Sequence, residues 1–227
     1  MTDCLVWIDC EMTGLDLARD ALIEVAVVVT DKDLVPLGEG LDVIVKPPPG
    51  AVERMDPFVR QMHDSSGLLA ELDSGGTMAQ AETAVLDHVR RFVPEAGKAP
   101  LAGNTIGTDR SFLARDMPTL EAHLHYRNVD VSSLKELARR WYPRIFFSAP
   151  EKGGQHRALA DILESIEELR YYREAMFVPP PGPERADLLA LAAKHRGALA
   201  GLSRNGDEVA PAGSDPGSSP DDEARDG

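Results

Sequence analysis

Asp9 and Glu11, in the stretch Trp7-Ile-Asp-Cys-Glu-Met-Thr-Gly-Leu-Asp16, are two residues apart in what reads as a β-strand. Side chains at i and i+2 of an extended chain share a face, so the two carboxylates aim at one spot. Like charges at that spacing repel unless a cation lies between them. Hard divalent ions such as Mg²⁺ or Mn²⁺ take oxygen ligands of this kind. An isolated D-x-E fits a solvated strand end equally well, and only further groups give it chemical meaning. Gly103-Asn-Thr-Ile-Gly-Thr-Asp109 supplies a third acid just past a strand, at a helix start. His156 and Asp161 follow a Gly-Gly loop and stand five residues apart, the aspartate inside a helix and the histidine at its edge. Four acids can hold two divalent ions about 3.5–4 Å apart around a phosphodiester. A histidine beside them can take a proton from water, because imidazole titrates near neutral pH.

The elements that must position these groups can be read in order. Residues 4–9, 21–32 and 38–46 are β-branched or alternating and predict three strands in an antiparallel meander. Pro47–Gly50 breaks the pattern, and a mostly helical stretch follows. Thr77 and Gln80 have capping-box spacing for a helix running to Val93. Residues 100–105 predict a fourth strand, with a helix from near Thr108; His125–Val131 predicts a fifth. Ser132 is placed to cap a helix over Ser133–Trp141, and Asp130 reads as a structural neighbour of the site. A long amphipathic helix is expected from about His156 to Met176. Three strands followed by strands alternating with helices indicate an α/β fold with a mixed five-stranded sheet.

Residues 178–183 read as a stiff Pro-rich linker after a domain spanning 1–177, residues 184–200 as an appended helix, and 201–227 as a disordered acidic tail. The 227 residues carry a formal charge of −14, and from position 203 onward seven acids face only two arginines. No basic stripe for gripping a long nucleic acid is evident, whereas a short anionic substrate held by a few local contacts is compatible with this charge. Cys4 and Cys10 lie in one strand region and cannot pair with each other. With no apolar run of membrane-spanning length and no signal-peptide pattern at the N-terminus, a cytoplasmic protein is expected.

Taken together, WIDCEMTGLD, AGNTIGTDRSFL, YRNVDVSSLKELARRW and the H-x4-D of HRALAD resemble the DEDD exonuclease superfamily, in the subfamily with a catalytic histidine. Within it the chain is most similar to the branch that acts on very short RNAs. The matching segments are spread over residues 5–176. The resemblance implies an RNase H-like fold, a homodimer, and 3′→5′ hydrolysis of RNA oligonucleotides down to dinucleotides. It implies that Asp9, Glu11, Asp109 and Asp161 bind two divalent ions, Mg²⁺ or Mn²⁺, with His156 as general base. By motif position, Leu15 would wedge against the bases and Phe58, where tryptophan is common, would stack on one. His63, Thr105, Arg127 and Ser132 would cap a 5′ phosphate, with Thr105 in place of a usual serine, and Tyr126 would reach across the dimer. Leu15 and Phe58 also suit a core, and His63 and Arg127 a surface. The linker, appended helix and tail depart from the compact family pattern. Two other functions fit the same motifs: a related exonuclease with longer substrates, and a nucleotide-binding module without activity.

Overall fold

The computed structural model describes residues 3–151, 153–154, 156–197 and 199. The expected acidic tail at 201–227 lies outside the described residues. The chain divides into two compact units, the first being Met1–Val178 and the second beginning at Pro179.

The first unit is built on five strands: β1 (Leu5–Met12), β2 (Leu22–Thr30), β3 (Leu41–Ile44), β4 (Pro100–Gly103) and β5 (His125–Asp130). Their order across the sheet is β3-β2-β1-β4-β5. The β1–β2 and β2–β3 pairs are antiparallel, as the meander reading expected, and β1–β4 and β4–β5 are parallel. Between them run α1 (Pro57–Ser65), α2 (Leu68–Glu71), α3 (Met78–Phe92), α4 (Gly107–Asp116), α5 (Pro118–His123), α6 (Val131–Trp141), α7 (Pro143–Phe147) and α8 (Ala158–Met176).

Every residue of β2 is buried, so its near-continuous apolar run reflects cover on both faces. One face of the sheet carries Val6, Ile8 and Cys10 against Val85 and Val89 of α3 and Phe112 of α4. The other face carries Trp7, Ala26 and Val28 against Ile162, Ile166, Leu169 and Tyr172 of α8. Those α8 positions recur every three or four residues, which makes one helical stripe. Trp7 is fully buried and donates from Nε1 to Thr30 Oγ1 at 3.0 Å. Burying a ring of about 150–250 Å² at about 25 cal/mol per Å² contributes roughly 4–6 kcal/mol. That burial presses the start of α8 onto the face of β1 that bears Asp9 and Glu11.

Two local expectations are corrected. β1 does not stop at Asp9; it continues to Met12, with Glu11 paired to Glu24 of β2. Both carboxylates therefore stand on a rigid strand, and the ladder becomes irregular only between Glu11 and Met12. Ser132 does not cap α6 either. Asp130 does, its side chain accepting from the Ser132 amide at 2.9 Å, because a carboxylate two positions earlier reaches the free N–H groups of the first turn. The capping box of α3 forms as read, with Thr77 and Gln80 each bonding the other's backbone.

The second unit contains α9 (Arg185–His195), along which Leu188, Leu189 and Leu191 are exposed. Among the described residues, the clusters of buried apolar side chains belong to the first unit. A chain ending at Val178 should accordingly lose only the helical circular dichroism of α9 and melt within a few degrees of the full-length protein. A collapse in melting temperature would show that the second unit supports the first.

Candidate active site

Alternation along β1 puts Asp9 and Glu11 on the face of Trp7, while Ile8, Cys10 and Met12 point into the opposite core. Packing of α8 over that face delivers Asp161 from its first turn. The result is a triad in which one carboxylate oxygen each of Asp9, Glu11 and Asp161 lie within 4.8 Å of one another. Asp109, in the first turn of α4 and buried, stands beside them, accepting from the Cys10 amide through Oδ1 at 3.1 Å.

The cluster is electrostatically costly. Burial, then the neighbouring charges of Asp109, Glu11 and Asp161, push the Asp9 carboxyl well above the usual carboxylate range. Burial first, then Asp161 and Glu24, push Glu11 up to about 8. Burial raises Asp109 to about 6, against the opposing pull of its own and the Cys10 amide hydrogen bonds. Such crowding of acids is what a hard divalent cation resolves, and the all-carboxylate donor set suits Mg²⁺ or Mn²⁺. A further sign of an incomplete site is His63. Its Nε2 sits 2.9 Å from the Met12 carbonyl, and its Nδ1 is buried, lacks a hydrogen-bond partner and lies 3.9 Å from Glu11 Oε2.

The other sequence candidates distribute as follows. His156 is exposed, has φ +49°, and lines a cavity of about 580 Å³ together with Phe58, Gly153, Gly154 and Arg157. Phe58 and Leu15 are each 74% exposed, so neither is a core residue. Leu15 stands on a braced turn: the Asp20 carboxylate accepts from the Asp16 amide at 2.9 Å, and Arg115 of α4 donates to the carbonyls of Leu17 and Asp20. A Cβ at Gly14 would lie 2.3 Å from Asp20 Oδ2, so a larger residue there would displace the carboxylate that braces the turn. His63, by contrast, is not a surface histidine; its ring is fully buried against Met12 and Glu11, an environment that fits holding Glu11 in place.

Thr105 and Ser132 do come together. Their hydroxyls are 3.0 Å apart, and the Thr105 amide bonds both Ser132 Oγ and Asp130 Oδ1. These bonds hold Thr105 at φ +53°, a left-handed conformation that costs a non-glycine residue about 1–3 kcal/mol. Tyr126 is 74% exposed and stacks on His125. Arg127 is exposed, and its recorded contacts are local, to Tyr126 Oη and His125 Nδ1. Two groups escaped the sequence reading. One is Asn104, which donates to Ser165 and Glu168 of α8 and accepts from Ser132, linking α8 to the Thr105–Ser132 pair. The other is the pair Glu24–Arg157, 2.7 Å apart beneath the site. An acid inside the apolar run of β2 was the available signal, because a buried carboxylate needs a partner.

The exonuclease family model matches residues 6–169. The oligoribonuclease of Cutibacterium acnes is 68% identical over 201 residues, covering 88% of this chain and all of that one. The chain belongs to the oligoribonuclease family of exonucleases. That family consists of metal-dependent exoribonucleases. The oligoribonuclease of Streptomyces coelicolor is 66% identical over 195 residues, covering 86% of this chain and 98% of the relative. Oligoribonucleases thus match well past Val178, since the first unit alone could not supply 88% of the chain. Among solved structures, exonuclease I of Escherichia coli, in a zinc-bound complex with single-stranded DNA, superposes with TM-score 0.59 at 14% identity, over 86% of this chain. Exonuclease I of Methylocaldum szegediense gives 0.57 at 21% identity over 76%. The chain spans less than half the length of either, and the likeness is one of the RNase H-like exonuclease fold.

Proposed function

We propose that this oligoribonuclease-family chain removes 5′-mononucleotides from the 3′ ends of very short RNAs, down to dinucleotides. The observation that carries the proposal is the convergence of Asp9, Glu11 and Asp161 on one spot of the sheet face, in a chain whose cavity is lined by His156 and Phe58. Asp9, Glu11, Asp109 and Asp161 would hold two divalent ions, Mg²⁺ or Mn²⁺. When bound, such ions activate a water and stabilise the leaving oxygen. His156 accepts the proton of that water as its oxygen bonds to phosphorus; the P–O3′ bond breaks and the departing oxygen is protonated from solvent. Phe58 stacks on one base and Leu15 wedges against the other, roles that their exposure permits. The Thr105 and Ser132 hydroxyls, with the Arg127 guanidinium, receive the 5′ phosphate, and His63 is assigned to the same cap by motif position, although its buried ring lies 3.9 Å from Glu11 of the metal cluster.

We further propose a homodimer in which Tyr126 is offered across the subunit boundary. Exposed Tyr126, Trp141, Tyr142 and Phe147 give the first unit an aromatic surface suited to such burial. Among the described residues no helix is long and apolar enough to cross a membrane, and a cytoplasmic location is part of the same proposal. Incubation with Mn²⁺ and labelled RNAs of two, five and twenty nucleotides tests the activity. Mononucleotide release that is fastest from the dinucleotide supports it, and no release from any RNA refutes it.

Length selection has its own expected result. A guanidinium on a phosphate contributes roughly 1.5–3 kcal/mol. Arg127→Ala should therefore weaken a 5′-phosphorylated dinucleotide by roughly 10- to 150-fold. It should weaken a twenty-nucleotide RNA, or a dinucleotide lacking the phosphate, much less. Binding measured with Ca²⁺ to suppress turnover decides this, and equal losses for all three ligands would reduce Arg127 to a general electrostatic contact.

A further inference from the structure

Arg157 follows His156 directly and precedes the first residue of α8. Its Nε donates to Glu24 Oε1 at 2.7 Å, its Nη1 and Nη2 form a fork on Glu71 at 2.9 and 3.2 Å, and Asp42 lies 3.5 Å from Nη2. The Glu24 side chain is completely buried. Its second oxygen accepts from the Ala158 amide at 3.1 Å, so it also caps α8. In register, Glu24 is the cross-strand neighbour of Glu11. One arginine thus fastens the chain immediately after His156 to β2, to β3 through Asp42, and to the end of α2. Although Arg157 lines the cavity, three acids already occupy its fork, which leaves little capacity to recruit a phosphate.

We propose that Arg157 is a positioning residue for His156: its simultaneous grip on Glu24 and Glu71 sets where the imidazole stands at the mouth of the cavity. The proposal rests on His156 acting as the general base. The backbone at His156 is left-handed, a conformation that neighbouring contacts must hold. The Arg157 fork supplies such a contact one residue away. A displacement of about 1 Å of a reacting group can cost about 100-fold in rate, so slackening this tie should appear in kcat rather than in KM.

The test avoids a bare deletion of the arginine, which would strand the buried Glu24 charge and endanger folding. Glu71→Gln loosens the half-exposed arm only. Arg157→Lys keeps the charge on Glu24 but cannot fork. The double variant Glu24→Gln with Arg157→Gln removes both charges from the interior. The readouts are kcat and KM on a dinucleotide with Mn²⁺, and hydrogen exchange at the amides of residues 157–161. Glu71→Gln and Arg157→Lys should resemble each other, lowering kcat by roughly 2- to 30-fold at unchanged KM, with faster exchange at Ala158 in Arg157→Lys. The double variant should lose up to about 100-fold. In a His156→Ala background the same changes should cause no further loss of kcat, since a positioning residue has nothing left to position. Equal losses in both backgrounds, a loss confined to KM, or unchanged exchange would overturn the proposal while leaving His156 as the base. If His156→Ala alone kept wild-type kcat, the base assignment itself would fall, and the proposal with it.

Discussion

His156→Ala is expected to lower turnover of a dinucleotide by about 10²- to 10⁴-fold, the range that a positioned general base supplies. The loss should appear in kcat at saturating metal, with KM for the dinucleotide little changed. Binding of metal and of a dinucleotide in Ca²⁺ should survive, because His156 stands outside the carboxylate triad and is exposed at the cavity. Wild-type turnover in the variant would remove His156 from the mechanism.

Asp9→Asn should be equally severe for activity and opposite in sign for stability. The substitution keeps the shape of the side chain and removes one charge from the cluster. Loss even of an outer partner of a metal ligand costs roughly 10- to 100-fold, so loss of a ligand should exceed that. In the metal-free protein, by contrast, Asp9 is held against burial and four neighbouring acids. Replacing it should raise the melting temperature, by roughly 2–4 °C for each kcal/mol of repulsion relieved. The same physics gives a pH dependence. Glu11 ionises near 8 in the folded chain and from 4.5 in an ordinary environment, so between those values the folded state holds more protons than the unfolded one. Its contribution to stability is fully present below about pH 4.5 and is lost as the pH rises through about 8. Chelator-treated protein should melt lower at pH 8 than at pH 5, and Mg²⁺ or Mn²⁺ should close the gap. Calorimetry across that range is decisive: stability that increases with pH without metal would mean that the acids are already compensated within the chain.

The sheet was legible because its signals are local. β2 is nine consecutive residues with one acid among them, and β1 alternates around Asp9 and Glu11, so strand type and facing follow from composition and the two-residue period. The capping box of α3 was legible for the same reason. The extent of β1 and the cap of α6 were not. Whether Glu11 remains in the strand depends on its partner Glu24, and whether Asp130 or Ser132 caps depends on backbone angles that neither residue sets alone.

For the site, the order and spacing of Asp9, Glu11, Asp109, His156 and Asp161 selected candidates, and the fold brings Asp9, Glu11 and Asp161 to within 4.8 Å of one another. What sequence left open was environment. Leu15 and Phe58 are apolar and could have been core; the fold leaves them on the outside. His63 is polar and could have been surface; the packing of α1 buries it against Met12 and Glu11. Residue type states a preference for water or for the interior, and the supporting tertiary contacts decide which one a given position receives. The Arg157 ties to Glu24 and Glu71 span 133 and 86 positions of sequence. No periodicity reaches that far, so only the folded sheet with α8 laid across it could bring those charges together and make Asp161 a neighbour of Asp9 and Glu11.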